Sequence, residues 1–118
     1  MQFPTYLIAI LPLVSMSWAA SHYPQNFLHS IANKPDEGMQ IIQHYCAECH
    51  AEKPLIQLGA PRIGHSEDWA SRMQAGMQKI FLHTDQGLNA MPPRGGCFEC
   101  SDQQLMKTIR IMLGLSKN

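Results

Sequence analysis

Residues 46–50 read C-A-E-C-H, which places two of the chain's four cysteines three positions apart with a histidine directly behind the second. Upstream of this stretch, Met39, Ile42, Cys46 and Cys49 fall at positions i, i+3, i+7 and i+10, the spacing of a single stripe along a helix. Because residues three apart at a helix end lie on one face, both sulfur atoms point in the same direction. The stretch therefore predicts a chemistry that uses two thiols and an imidazole together.

Two thiols on one helix face can add to the two vinyl groups of a single haem. The adjacent histidine then lies over the macrocycle and can bind the iron, and this is the attachment pattern of c-type haem. The motif predicts that Cys46 and Cys49 anchor one covalently bound haem c and that His50 is an axial ligand of its iron.

Other chemistries account for this motif less well. A four-cysteine zinc site needs a second C-x-x-C, which Cys97 and Cys100 supply, but 47 residues separate Cys49 from Cys97, against about 15–20 in such sites. A thioredoxin-like redox pair needs a βαβ context that the sequence does not show. A purely structural bridge leaves the role of His50 unexplained.

Haem iron also takes a second axial ligand, and the candidates are the methionines and the remaining histidines. Met91 differs from the other methionines because it stands in a loop, N-A-M-P-P-R-G-G over residues 89–96, where two prolines stiffen the backbone directly after it. Ligation by histidine and methionine raises the reduction potential of haem iron, as an electron carrier requires. The rival histidines have no comparable loop: His22, His29, His44, His65 and His83.

The loop L-G-A-P-R-I-G over residues 58–64 offers a partner for the proximal histidine. A histidine that binds haem iron usually donates its other N–H to a nearby acceptor, which fixes the orientation of the ring. The carbonyl of Pro61 is the candidate for this acceptor, and an ordinary turn proline is the alternative reading.

The rest of the chain predicts helices and no convincing strand. A second helical pattern opens at Ser66 as N-cap and is broken by Gly76, and a third begins at Ser101 with Gln104 as a capping box. We therefore predict an all-α fold of three to four helices packed around one haem.

The N-terminal residues differ from the rest. Residues 6–14 are almost wholly apolar, no charged side chain precedes Lys34, and residues 17–19 resemble a cleavage site with small residues at its −3 and −1 positions. This predicts a secretory signal peptide over 1–19, although its start has no Lys or Arg. An uncleaved membrane anchor is the alternative, but the run is broken by Pro12 and is shorter than the about 20 apolar residues that span a bilayer.

We expect a flexible leader over 20–34, where no clear period appears, and the haem domain over 35–118. Nine basic and nine acidic side chains balance one another, so nothing in the composition marks a nucleic-acid binder. Export would bring the cysteines to the periplasm, an oxidising compartment where thiols form bridges or bind cofactors. A retained signal would leave the protein associated with the membrane.

The chain resembles the class I cytochromes c, and within them the cytochrome c5 group. The resemblance rests on C-A-E-C-H, G-A-P-R-I-G, Trp69 and N-A-M-P-P-R-G-G-C-F-E-C-S-D, in family order over nearly all of residues 36–113. It implies the small class I cytochrome c fold, thioether bonds to Cys46 and Cys49, and His50 and Met91 as proximal and distal ligands. It also implies a Cys97–Cys100 disulfide, Trp69 packing by the haem and Arg94 near a propionate.

The same resemblance implies a soluble monohaem carrier of single electrons in the periplasm. Its partners would be respiratory redox proteins, namely a cytochrome reductase, a terminal oxidase or another reductase, with no nucleic acid and no small-molecule substrate. A six-coordinate iron leaves no position for a substrate, so no enzyme activity is expected. The alternative is a haem enzyme or gas sensor with a labile distal site, against which the rigid loop around Met91 argues.

Overall fold

The computed structural model describes Met1 and residues 23–117. These residues form helices and no β-strand, as the sequence predicted for an all-α protein. The helices are α1 (Pro24–Ile31), α2 (Glu37–Ile41), α3 (Ala47–His50), α4 (Ser66–Met73), α5 (Met77–Gln86) and α6 (Asp102–Met112), with a π-helical segment (Ile42–Cys46) between α2 and α3 and a 3-10 turn (Pro93–Gly96) before α6. Over these residues, no helix is long and apolar enough to cross a membrane.

The helix α2, which leads through the π-helical segment to C-A-E-C-H, packs against α6. Gly38 of α2 allows this approach, since a β-carbon there would lie 2.6 Å from Cδ1 of Ile111. The neighbouring Glu37 is buried, with 3% of its surface exposed, and its carboxylate accepts hydrogen bonds from Gln104 at 2.9 Å and Lys107 at 2.6 Å. A buried carboxylate needs such partners to offset its lost hydration, so this pairing orients α2 on α6.

Two clusters of buried side chains make up the core. The first joins the π-helical segment to α4, α5 and α6, and consists of Ile42, Trp69, Ile80, Ile109, Ile111, Met112 and Leu113. Met39 and Cys46 pack against it, in agreement with the helical stripe read from the sequence. The second cluster surrounds the paired cysteines and consists of Leu28, Ile31, Ile41, Cys97, Cys100 and Leu105.

Residues 24–31 depart from the flexible leader assigned to 20–34. They form α1, which starts with Pro24 in its first turn and buries Leu28 and Ile31 in the second cluster. These two side chains lie three positions apart on one helix face. A single such pair within eight residues is too short a pattern to predict a helix from the sequence. The signal peptide over 1–19 lies outside the described residues, and the start of the domain at residue 35 stays a prediction.

The structure tests three predictions about where helices begin and end. At α6 the predicted capping box is confirmed, since Ser101 Oγ accepts from the Gln104 amide at 3.1 Å and Gln104 Oε1 accepts from the Ser101 amide at 2.9 Å. The predicted N-cap Ser66 is wrong, because it is the first residue of α4 and His65 takes the N-cap position. Gly76 does separate α4 from α5, with φ 87°.

Candidate haem-binding site

His50, the predicted proximal ligand, is the last residue of α3. The imidazole is buried, with 8% of its surface exposed, and its Nδ1 lies 2.7 Å from the carbonyl oxygen of Pro61. This is the acceptor named from the sequence. A hydrogen bond donated from Nδ1 leaves the lone pair on Nε2, the nitrogen that is then available to a metal. The amide of Ile63 donates to the His50 carbonyl at 2.9 Å, so the loop over 58–64 is tied to the histidine twice.

Trp69 lies beside this histidine. The two rings are stacked, with centroids 6.0 Å apart and an interplanar angle of 13°. The indole Nε1 donates to the carbonyl of Arg62 at 2.8 Å, while the Arg62 guanidinium holds Asp68 through two bonds of 2.8 and 3.0 Å. Those hydrogen bonds hold the pKa of Asp68 well below its usual range. The loop over 58–64 and the start of α4 therefore hold Trp69 against the His50 ring.

Cys46 and Cys49 are both free thiols and both half-buried. Cys46 ends the π-helical segment, in which the Ala47 amide donates to the carbonyl of Ile42, five residues earlier. Single-turn π segments within α-helices often occur at functional sites, and the sequence offers no periodic signal for this one. Burial raises the pKa of Cys46 to about 12, and the charge of Cys49 adds to the rise. The free thiol is therefore neutral at ordinary pH.

The other two cysteines are joined. A disulfide links Cys97 to Cys100, with the α-carbons 5.4 Å apart, and both residues are buried. With this pair oxidised, a four-cysteine zinc site is not formed, and the described residues contain no group of three or more metal-binding side chains.

The predicted distal ligand, Met91, lies in a loop whose backbone is held on itself. Its backbone pairs with Leu88 in both directions, with the Met91 amide donating at 2.9 Å and the Leu88 amide donating to the Met91 carbonyl at 3.1 Å. The 3-10 turn (Pro93–Gly96) follows and contacts the π-helical segment (Ile42–Cys46). The Met91 loop is thus packed against the helix that bears Cys46, although the two are far apart in sequence.

Arg94 is bound chiefly to protein groups. Its Nη1 pairs with Asp85, and its Nη2 donates to the carbonyl of Cys100 at 2.7 Å and to Asp102 at 3.0 Å. Its Nε is buried and has no hydrogen-bond partner. The expected contact with a propionate stays a prediction. The sequence could not show the three partners, because none of them lies within five residues of Arg94.

The rival histidines have other surroundings. His44 stacks on Phe27 with ring centroids 4.4 Å apart, and the Nδ1 of His65 lies 3.1 Å from Glu67. His22 lies outside the described residues. Met91 stays the predicted distal ligand.

The donor set fits a covalently bound haem. Two free thiols end a helix, the imidazole behind them has Nδ1 committed to a carbonyl, and a thioether stands in a rigid loop packed against the same helix. Histidine and methionine are the axial pair of cytochromes c.

Comparison with known proteins identifies the class. A family model described as cytochrome C oxidase, cbb3-type, subunit III matches residues 33–110. The chain belongs to the cytochrome c family, as a small class I c-type cytochrome. Within that family it resembles cytochrome c5. Membership implies the family's cofactor, one covalently bound haem c for the one C-x-x-C-H motif.

The similar proteins share most of their length with this chain. Cytochrome c5 of Ectopseudomonas mendocina is 42% identical over 77 residues, which are 64% of this chain and 85% of that protein. Cytochrome c5 of Azotobacter vinelandii is 39% identical over 80 residues, 66% of this chain and 93% of that protein. Cytochrome c-555 of Chlorobaculum tepidum is 32% identical over 76 residues, 61% and 68% of the two chains.

Proposed function

We propose that the protein carries single electrons in the periplasm between redox proteins of a respiratory chain. Its partners would be a cytochrome reductase on one side and a terminal oxidase or another reductase on the other. Family membership supports electron transfer by a monohaem cytochrome, and the predicted signal peptide over 1–19 supports the periplasm.

In this proposal Cys46 and Cys49 hold the haem through thioether bonds, and His50 and Met91 bind its iron. The bound haem supplies a centre that takes up and releases one electron. The chain's own residues supply ligation, burial and orientation. Pro61 keeps the His50 ring in place through its carbonyl, and Trp69 packs beside that ring.

The observation that carries the proposal is how Met91 is held. The amide and the carbonyl of Met91 are both hydrogen-bonded to the backbone of Leu88, and Pro92 and Pro93 follow directly. A ligand on so stiff a loop loses little conformational freedom when it binds iron. An enzyme or gas sensor needs a distal position that opens readily, so this arrangement supports a carrier without catalytic activity.

Absorption spectra of the purified holo-protein test the proposal. We expect a low-spin, six-coordinate haem in both oxidation states, one haem retained in denaturing mass spectrometry, and slow or no binding of carbon monoxide to the reduced protein. A high-spin spectrum with fast carbon monoxide binding would favour the enzyme or sensor instead.

Export is tested separately. The protein recovered from a periplasmic fraction should begin at Ala20. Recovery of the whole chain from membranes would show a retained anchor and would leave the haem ligation untouched.

A further inference from the structure

The side chain of Arg94 connects three segments that lie around the Met91 loop. Its guanidinium meets Asp85 in the last turn of α5, the carbonyl of Cys100 in the disulfide turn, and Asp102 at the first position of α6. The Arg94 side chain is largely buried, with 18% exposed, whereas the Asp102 side chain is 75% exposed. The arginine is therefore the enclosed centre of the arrangement.

Two local costs accompany this arrangement. Arg94 has φ 57°, a left-handed conformation that is unfavourable for a residue with a β-carbon. Asp85 lies at the C-terminal end of α5, where the helix dipole disfavours a negative charge. The guanidinium offsets the second cost directly, because it pairs with Asp85. The first cost arises from the left-handed backbone of Arg94, and this backbone conformation directs the side chain toward its partners.

Little slack separates Arg94 from Met91. The two intervening residues are Pro92 and Pro93, whose φ angles are fixed by their rings, and the amide of Gly95 donates to the Pro92 carbonyl at 3.0 Å. Any outward movement of Met91 therefore pulls on the turn that holds the guanidinium in place.

We infer that Arg94 is a positioning residue that keeps the Met91 loop closed and so slows the release of the distal ligand. The inference rests on the proposed function, because it takes Met91 as the ligand of the iron. Asp85, Asp102 and the Cys100 carbonyl are the fixed points of this clamp. Nε of Arg94 takes no part in it.

The test is the rate at which imidazole binds to the ferric holo-protein, since imidazole can enter only after Met91 leaves. We expect Arg94→Gln to raise this rate about tenfold, which corresponds to about 1.4 kcal/mol. Asp85→Asn should raise it in the same direction while Arg94 is intact. Arg110→Gln, which removes an equal charge from the exposed face of α6, should leave the rate within about twofold of wild type.

Each outcome has one meaning. Wild-type rates in both Arg94→Gln and Asp85→Asn would overturn the clamp. A fast Arg94→Gln with a wild-type Asp85→Asn would also overturn the clamp as stated, because the ion pair between Arg94 and Asp85 would then not hold the loop. If Arg94→Gln does not fold, the rate in Asp85→Asn decides alone: a raised rate supports the clamp, and a wild-type rate overturns it.

Failure of the proposed function shows in a different measurement. The ferric wild-type protein should have the sulfur-to-iron charge-transfer band of methionine ligation, and Met91→Ala should abolish it. A wild-type protein without this band would refute Met91 as the ligand, whatever the behaviour of the Arg94 variants.

Discussion

Gly76 and Gly87 flank α5 in nearly the same backbone conformation, with φ 87° and ψ 161° at the first and φ 80° and ψ 160° at the second. Only their surroundings differ. A β-carbon on Gly76 would meet nothing within 4 Å, whereas one on Gly87 would lie 2.7 Å from the Met91 carbonyl oxygen and 2.9 Å from the Pro93 nitrogen. Gly87→Ala is therefore a test of the distal loop, with Gly76→Ala as its matched control.

Both substitutions share one cost and differ in another. An alanine in this conformation costs about 1–3 kcal/mol at either position. At Gly87 the loop must also move, because 2.7 Å falls about 0.7 Å short of the 3.4 Å at which ordinary contact begins. That displacement exceeds the about 0.5 Å within which a functional side chain must be held. We therefore expect Gly87→Ala to weaken the bond between Met91 and the iron.

The assay is a redox titration of both variants beside wild type. A thioether ligand favours ferrous iron, so Gly87→Ala should lower the reduction potential by about 59 mV or more, a tenfold change in the equilibrium constant. Gly76→Ala should keep the wild-type potential while losing a similar amount of backbone-derived stability. Equal potentials in the two alanine variants would refute the coupling between Gly87 and the distal ligand.

Three further results are expected. Met91→Ala should lower the reduction potential and let carbon monoxide bind the reduced protein quickly; a variant with the wild-type potential and spectrum would move the search to the histidines. Alkylation of the unfolded holo-protein without reductant should label neither Cys97 nor Cys100, and labelling of both would exclude the disulfide. Burial alone would raise the pKa of Glu37, but hydrogen bonds from Lys107 and Gln104 outweigh it and lower that pKa. Because the pKa is lowered, the Glu37 carboxylate stabilises the fold at a pH above its ordinary pKa of 4.5, and this stabilisation is lost as acid protonates the carboxylate. The free energy of unfolding in urea should therefore fall more on acidification in wild type than in Glu37→Gln. Parallel pH profiles of the two proteins would contradict this.

Some features could be predicted because their causes lie within a few residues. The capping box of Ser101 and Gln104 needs only a spacing of three positions and a free helix end. The break at Gly76 needs only a conformation that other residues avoid. The C-A-E-C-H motif likewise carries its chemistry in five consecutive residues.

Other features depend on partners that are distant in sequence. The buried Glu37 finds Lys107 and Gln104 across the α2–α6 contact, and nothing near Glu37 in the chain indicates a buried charge. The helix over 24–31 buries Leu28 and Ile31 on one face, and only the cluster around the disulfide gives that face something to cover.

The sequence by itself determined the class of protein, because the covalent attachment of haem depends on residues a few positions apart. The tertiary structure decided how the predicted ligands are held. The Met91 loop meets the segment that carries Cys46 only after the chain has folded back on itself, and the side chain of Arg94 acquires its three partners in that same step. Such contacts form between surfaces, and the periodicity of any single segment contains no record of the surface it will meet.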